Sequence, residues 1–195
     1  MTHIALVSAG ETQWRVEGRL AGDTDLPLTE VGHRQAVADA DAIAAMKPTV
    51  VRCGPEHATK QTGTVIAHGL GIKVKSVKEL RELDLGHWEG LTIEDFKERF
   101  GRVYRQWRSD PTSVEPPNGE SLLDAAKRLS DGIARIVKSH PDETVAVAVG
   151  QYAWAVLRCT LQDGNYEQFW DYVDGDARWC ELDVEPAKGK KKPVE

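Results

Sequence analysis

The residues best placed to do chemistry in this sequence lie in three short segments, each directly after an apolar run. The segments read Ser8-Ala9-Gly10-Glu11-Thr12, Gly54-Pro55-Glu56-His57-Ala58 and Gly150-Gln151-Tyr152. Ser8 carries a hydroxyl and the nearby Cys53 carries a thiol, so both are candidate nucleophiles. A serine needs an adjacent base, and a reactive thiol needs a cationic neighbour, for which only Arg52 is close in sequence. The segments therefore give little support for nucleophilic catalysis by either group.

The apolar runs before these segments predict the strands that must position them, over residues 4–7, 49–53 and 145–149. Helical spacing of apolar residues predicts helices from a Thr29 N-cap to about residue 46, and over residues 57–67, 121–137 and 151–161. Strands that alternate with helices favour an α/β fold, a three-layer α/β/α sandwich around a largely parallel sheet. Ligands bind beyond the carboxyl ends of such strands, so we expect the three segments to meet there.

We expect residues 1–185 to form one domain, because a chain of 195 residues suits a single α/β unit with a full core. Residues 91–118 are polar and aromatic and contain three prolines. This composition predicts short helices and a loop, as an insertion or lid over the sheet edge. Residues 186–195 lack apolar anchors and include three successive lysines, so they predict a flexible basic tail.

The composition argues against several classes of function. A net charge of −6, from 25 Lys+Arg and 31 Asp+Glu, disfavours nucleic-acid binding, which needs a basic face. The longest apolar run is far too short to cross a membrane, and no leader-like segment precedes the first strand, so we expect a cytoplasmic protein. Cys53, Cys159 and Cys180 are widely spaced, and no pattern of His, Asp or Glu indicates a metal site. We therefore expect no disulfide framework, no metal and no other cofactor.

Several segments, in order along the chain, resemble motifs of one enzyme family. Residues 6–14, Leu-Val-Ser-Ala-Gly-Glu-Thr-Gln-Trp, are similar to Leu-Val-Arg-His-Gly-Glu-Thr-x-Trp. Residues 54–62 resemble Ser-Pro-Leu-x-Arg-Ala-x-Gln-Thr, residues 80–91 resemble Leu-x-Glu-x-x-x-Gly-x-Trp-Glu-Gly-Leu, and residues 119–121 read Gly-Glu-Ser. These motifs are typical of the histidine phosphatase superfamily, in its phosphoglycerate-mutase-like branch. The resemblance implies a phosphoglycerate-mutase-like fold and a site for phosphoryl transfer.

The resemblance also implies which residues should carry the chemistry, and most of them differ in this chain. The two arginines of the family fall on Ser8 and Ala58, the nucleophilic histidine on Ala9, and the second histidine on Gly150. Only the acid is retained, at Glu82, either with a ligand role or as a fold residue bonded to backbone. Alanine has no lone pair for a covalent step, and neither serine nor alanine can grip a phosphate as arginine does.

These replacements favour a catalytically inactive pseudo-phosphatase with a binding or regulatory role. The alternative is an active phosphomonoesterase or phosphoglycerate-mutase-type enzyme that uses a non-standard site around Glu82. The small replacements leave room for a small-molecule ligand, unless Tyr152 or Trp154 fills the space, and a protein partner is the other possibility, for a monomer or a homodimer. Arg15 and Arg19 could restore some positive charge. The residues that we expect to line the pocket are Gly10, Thr12, Arg15, Arg19, Gly22, Gln151 and Tyr152.

Overall fold

The computed structural model describes residues 1–185, which contain five strands and seven α-helices. The basic tail predicted at residues 186–195 lies outside the described residues. The strands are β1 (Thr2–Ser8), β2 (Val50–Cys53), β3 (Val74–Ser76), β4 (Thr144–Val149) and β5 (Trp179–Val184). The helices are α1 (Gln13–Val16), α2 (Glu30–Ile43), α3 (His57–Leu70), α4 (Ile93–Ser109), α5 (Leu122–Ser139), α6 (Gln151–Arg158) and α7 (Phe169–Asp174). Short 3₁₀ helices span Ala44–Met46, Lys78–Leu80, Gly86–Trp88 and Pro111–Ser113, and a π-helical turn spans Cys159–Asp163.

The strands form one sheet in the order β3-β2-β4-β1-β5. The pairs β1–β4, β4–β2 and β2–β3 are parallel, whereas β5 runs antiparallel to β1 at the edge. At the carboxyl edge of the sheet, Ser8 lies opposite Val149 and Cys53 lies opposite Ala148. The three segments that follow β1, β2 and β4 therefore meet at one edge, as the sequence predicts.

Helices cover both faces of the sheet, which is the arrangement that buried parallel strands require. Along β1, Ile4 and Leu6 belong to the larger apolar core with residues of α5 and α6. Ala5 and Val7 belong to the smaller core with residues of α2 and α3. Successive side chains of a strand point to opposite faces, so one buried strand serves two cores. The predicted three-layer α/β/α sandwich is confirmed.

Some elements do not follow from the sequence patterns. β3 has only three residues, and β5 alternates exposed acids with buried or half-buried side chains, so neither gives an apolar run. The prediction of short helices and a loop over residues 91–118 agrees with the structure. Helix α4 consists of two short helices that meet at a kink at Phe100, and a 3₁₀ helix and a loop follow it. Phe96 and Trp107, one on each side of the kink, pack into the larger core. Within residues 1–185, every helix is too short or too polar to span a membrane.

A buried ion pair ties the segment before β5 to the end of β1. The Arg178 guanidinium donates from Nε and Nη2 to Asp39 Oδ2 at 3.0 and 2.8 Å, and Nη2 also donates to the Ser8 carbonyl oxygen at 3.0 Å. Asp39 lies buried on α2. Burial raises the pKa of Asp39, and the hydrogen bonds from Arg178 oppose that rise. The pair therefore joins α2, β1 and the approach to β5 at the carboxyl edge.

We expect Asp39→Ala to lower the free energy of unfolding by about 3 kcal/mol, because the substitution leaves the Arg178 charge without its partner. The exposed pair of Lys127 and Asp131 on α5 provides the control. Asp131→Ala should change the free energy of unfolding by roughly 0.5 kcal/mol or less. Urea unfolding at pH 7 measures both variants. Equal losses in the two would show that the buried pair does not hold this edge.

Candidate functional site

A cavity of about 70 Å³ opens at the carboxyl edge of the sheet, where the segments after β1, β2 and β4 meet. The space is open, and neither Tyr152 nor Trp154 fills it. Ser8 is absent from its lining, since this residue is buried with its backbone amide bonded to the Arg178 carbonyl oxygen. The other residues predicted for the site all line the cavity: Ala9, Gly10, Thr12, Arg15, Arg19, Gly22, Ala58, Glu82, Gly150, Gln151 and Tyr152.

Five further residues line the cavity and were not predicted from the sequence to do so: Ala21, Thr24, Leu26, Glu56 and Thr59. Glu89 holds the loop that carries the first three. Its carboxylate accepts hydrogen bonds from the Asp23 amide and the Thr24 hydroxyl, both at 2.9 Å. Glu56 and Thr59 flank Ala58 at the start of α3, and this nearness in sequence to a predicted site residue was the one signal for them. The contact of the loop with Glu89 gives no such signal, because it depends on the tertiary fold.

Glu82 lies at the buried end of the cavity, and its carboxyl binds backbone. Oε1 accepts hydrogen bonds from the amides of Leu83 at 2.7 Å and Ala153 at 2.6 Å, and Oε2 accepts one from the Tyr152 amide at 2.9 Å. The last two amides belong to the first turn of α6, where Gly150 offers no side-chain cap and acceptors are needed. Glu82 therefore caps a helix that is distant in sequence, which favours the fold role among the two roles that the sequence left open.

An ion-pair network fixes the segment that carries Glu82. The Arg128 guanidinium on α5 donates to the carbonyl oxygens of Glu79, Arg81 and Glu82. The Glu120 carboxylate accepts from Arg128 and from Arg81, which lies 3.1 Å away. The glutamate of the Gly-Glu-Ser motif thus positions Glu82 from behind the cavity and does not itself belong to the lining.

Because residue 150 is a glycine, the Glu82 carboxyl can occupy space that a side chain at position 150 would fill. A β-carbon at position 150 would lie 2.2 Å from Glu82 Oε2 and 2.6 Å from Glu82 Cδ, far inside van der Waals contact. A side chain at position 150 therefore requires the Glu82 carboxyl to shift from its present position on the end of α6. The obstacle to a larger residue at this position is Glu82, since the three nearest atoms all belong to it.

Glu56 supplies a second buried carboxyl at the same end of the cavity. Its Oε1 accepts a hydrogen bond from the Glu82 amide at 2.9 Å, and its Oε2 accepts one from the Thr59 hydroxyl at 3.1 Å. Gly54 accommodates it, because a β-carbon there would lie 2.5 Å from Glu56 Oε2. Burial raises the pKa of Glu82 to about 8; the negative charge of Glu56 adds to this rise, and the backbone hydrogen bonds oppose it.

The positive charges of the site lie toward solvent. Arg15 on α1 is exposed. Arg19 donates to the Glu17 carboxylate at 2.6 Å and to the Gly90 carbonyl oxygen at 2.7 Å. Partial burial and the charge of Arg178 lower the pKa of Arg15, but a guanidinium keeps its charge at neutral pH. The cavity therefore has an acidic buried end and a basic exposed end.

A second cavity of about 120 Å³ adjoins the first, between α4 and α7. Arg108 connects these two helices, because its guanidinium lies 4.3 Å from the centre of the Trp170 ring and 2.7 Å from Asp174 Oδ2. The wall between the cavities consists of the residues that line both, Arg15, Arg19, Gln151 and Tyr152. The aromatic residues on the far side are Tyr104, Trp107 and Trp170.

The remaining candidate groups lie outside the main cavity. Cys53 is buried, and burial raises the pKa of its thiol to about 11, so the thiol is protonated at neutral pH. At the exposed sheet edge, possible ligand atoms of His3, Glu181 and Asp183 lie within 4.8 Å of one another. His3 Nδ1 and Asp183 Oδ1 already form a hydrogen bond of 2.6 Å. Sequence spacing could not reveal this group, because the pairing of β1 with β5 assembles it.

Stability should fall with rising pH because of Glu82. A carboxyl whose pKa is raised by folding contributes fully to stability below its unfolded-state pKa near 4.5. This contribution to stability is lost as the pH rises through about 8. From about pH 5 to pH 8 we expect a loss on the order of 3 kcal/mol. The free energy of unfolding of Glu82→Gln, measured in urea, should decline less steeply with pH than that of the wild type. The exposed Glu98→Gln is the control and should follow the wild type. Parallel curves for the wild type and Glu82→Gln would contradict the raised pKa.

Gly150→Ala should destabilise the fold by about 1–3 kcal/mol, because the added methyl group meets the Glu82 carboxyl. In a Glu82→Ala background the same change should be better tolerated, with a coupling energy of at least about 1 kcal/mol in a double-mutant cycle. Gly69→Ala on α3 is the control, since a β-carbon there meets no atom within 4 Å. Additive effects of the two changes would refute the steric conflict between the added methyl group and the Glu82 carboxyl.

Comparison with known proteins agrees with this fold. The model of the histidine phosphatase superfamily (branch 1) matches residues 4–193. Phosphoserine phosphatase 1 of Hydrogenobacter thermophilus is 27% identical over 185 residues, which cover 95% of this chain and 88% of that protein. A glucosyl-3-phosphoglycerate phosphatase of Mycobacterium tuberculosis is 30% identical over 139 residues, which cover 71% of this chain and 62% of that protein.

Solved structures give the same result. The mycobacterial glucosyl-3-phosphoglycerate phosphatase in complex with VO₃ matches with a TM-score of 0.82 at 27% identity, over 95% of this chain and 99% of that one. YhfR of Bacillus stearothermophilus matches with a TM-score of 0.81 at 26% identity, over 87% of this chain and 84% of that one. The phosphoglycerate-mutase-like fold implied by the motifs is confirmed. Because the family model spans nearly the whole sequence, the chain belongs to the histidine phosphatase superfamily, branch 1.

Proposed function

We propose that this chain is a non-catalytic member of its superfamily, a pseudo-phosphatase whose cavity serves binding or regulation. The observation that carries the proposal is the composition of the buried end of the cavity. The resemblance implies a nucleophilic histidine, an arginine and a second histidine at positions where the cavity has Ala9, Ala58 and Gly150. The carboxyls of Glu56 and Glu82 line that end instead.

The chemistry of phosphoryl transfer argues against turnover at such a site. Alanine has no lone pair that could attack phosphorus. The transferring group needs cations or N–H donors to offset its negative charge. Charge-assisted hydrogen bonds contribute about 1.5–3 kcal/mol each, so the loss of three or four removes roughly 5–10 kcal/mol of anion binding. The negative charge of Glu56 at the buried end adds repulsion toward a phosphate dianion.

The second candidate function is a phosphomonoesterase with a non-standard arrangement around Glu82. The relatives named as phosphatases support it, as does the presence of Glu82 in the cavity lining. The contacts of Glu82 weigh against it, because three backbone amides already engage its carboxyl. Ser8 is a poor replacement nucleophile, since it lies buried outside the lining.

A small molecule is the partner that this proposal requires. The cavity has a volume of about 70 Å³, which suits a small ligand. We place the protein in a reducing, cytoplasmic compartment, which the three free cysteines Cys53, Cys159 and Cys180 support. Whether it acts as a monomer or a homodimer does not affect the chemistry of the cavity.

Purified protein should not release phosphate from p-nitrophenyl phosphate, phosphoserine or phosphoglycerate, and mass spectrometry should detect no phosphohistidine. The physical reason is that Ala9, Ala58 and Gly150 stand where the resemblance implies the nucleophilic histidine, an arginine and the second histidine. An active phosphatase of the same superfamily, assayed in parallel, is the positive control. Turnover at a rate similar to that control, lost in Glu82→Gln, would defeat the non-catalytic proposal in favour of the second candidate.

A further inference from the structure

Two carboxyls at the buried end of the main cavity form no ion pair with any of the described residues. Glu56 is 6% exposed and Glu82 is 5% exposed, and both line the cavity. Among the ion pairs formed within residues 1–185, none includes either residue. Buried carboxylates ordinarily have a cationic partner or coordinate a metal. The missing charge therefore points to a ligand that brings it.

The two carboxyls also keep spare capacity for hydrogen bonds. An ionised carboxylate offers about four lone-pair sites. Glu82 uses three of them on the amides of Leu83, Tyr152 and Ala153. Glu56 uses two, on the Glu82 amide and the Thr59 hydroxyl. A donor with several N–H groups can satisfy the remaining acceptors, whereas an anion cannot.

The arginines of the site do not cancel this acidic end. Arg19 is engaged by the Glu17 carboxylate and the Gly90 carbonyl oxygen. Arg15 lines the cavity, but among the described residues it forms no ion pair with Glu56 or Glu82. The position of Glu56 strengthens the contrast with the family, because the resemblance implies a leucine at this position and an arginine two residues later, where Ala58 stands. A carboxyl has been added where a guanidinium has been lost.

We propose that the cavity binds a small organic cation, a primary ammonium or guanidinium compound whose charged group lies against Glu56 and Glu82. The apolar side chains of Ala9, Leu26 and Ala58 in the lining suit a short carbon chain behind the charge. This inference rests on the proposed function, because a site that processes phosphate would need the opposite charge in the same place.

Binding of such a cation expels a proton. At neutral pH the Glu82 carboxyl is largely protonated, so it must release H⁺ to solvent to become the carboxylate that faces the ligand. The other charged or titratable groups around it are Glu56 before α3, Tyr152 on α6 and Arg15 on α1. Affinity for the cation should therefore increase from about pH 6 to about pH 8.

Three probes of similar size and different charge test the proposal: n-propylammonium, 1-propanol and propionate. Nuclear magnetic resonance titration of nitrogen-15-labelled protein can follow the amides of Tyr152 and Ala153, which are bonded to Glu82. We expect saturable shifts with propylammonium, which stays charged over the whole pH range used, and no saturable shifts with the other two probes. Calorimetry in buffers of different ionisation enthalpy should detect the released proton.

Substitution of Glu56 tests whether its carboxylate contributes to binding of the cation. Glu56→Gln should weaken propylammonium binding by about tenfold, which corresponds to about 1.4 kcal/mol. Glu98→Gln removes an exposed carboxyl on α4 and should leave the affinity unchanged. The comparison of the three probes on wild-type protein needs no variant, so the test stands even if Glu56→Gln does not fold.

The outcomes separate this inference from the proposed function. Tighter binding of propionate than of propylammonium would overturn the inference and assign the charge preference to Arg15 and Arg19. Saturable binding of none of the probes, or equal binding of all three, would overturn it as well. None of these binding results would show that the protein has phosphatase activity. Turnover of a phosphomonoester would instead defeat the non-catalytic proposal, whatever the probes do.

Discussion

The hydrogen bonds between the Glu82 carboxyl and the first turn of α6 are the interaction on which the arrangement of the site depends. They satisfy amides at a helix end that has only a glycine as its N-cap residue, and the helix dipole favours a carboxyl at that end. They also hold the carboxyl at the buried end of the cavity, where the resemblance implies an imidazole at position 150. One contact thus stabilises the start of a helix and holds a carboxyl in the space beside position 150.

The rest of the fold serves to keep that contact in place. The parallel pairing of β1, β4 and β2 brings three loops to one edge, and Arg128 with Glu120 holds the backbone that carries Glu82. On the opposite side, Asp39 and Arg178 secure the end of β1. These supports are independent of the residues that face the cavity. A superfamily scaffold can therefore keep its architecture while the residues that face its cavity differ.

The sequence predicts the parts of this structure that local chemistry determines. The apolar runs of β1, β2 and β4, the hydroxyl cap at Thr29 and the helix predicted over residues 121–137 are local signals. The structure has those strands, that cap and a helix over Leu122–Ser139. β5 escapes prediction because an edge strand alternates exposed acids with buried side chains. The partners of Glu82 escape it too, since the Tyr152 amide is 70 positions away in sequence. Glu56 lies in one of the segments identified from the sequence, but its hydrogen bond with the Glu82 amide depends on the tertiary fold.

The contact between Glu82 and the end of α6 also determines what restoring an imidazole at position 150 would require. The resemblance implies a glutamate at position 82 and a histidine at position 150 in the same protein, so the two side chains can coexist when the carboxyl lies elsewhere. In this chain the three atoms nearest to a β-carbon at position 150 all belong to Glu82. A histidine there would have to move the carboxyl away from the Tyr152 and Ala153 amides, so it would replace one set of contacts at the start of α6 with another.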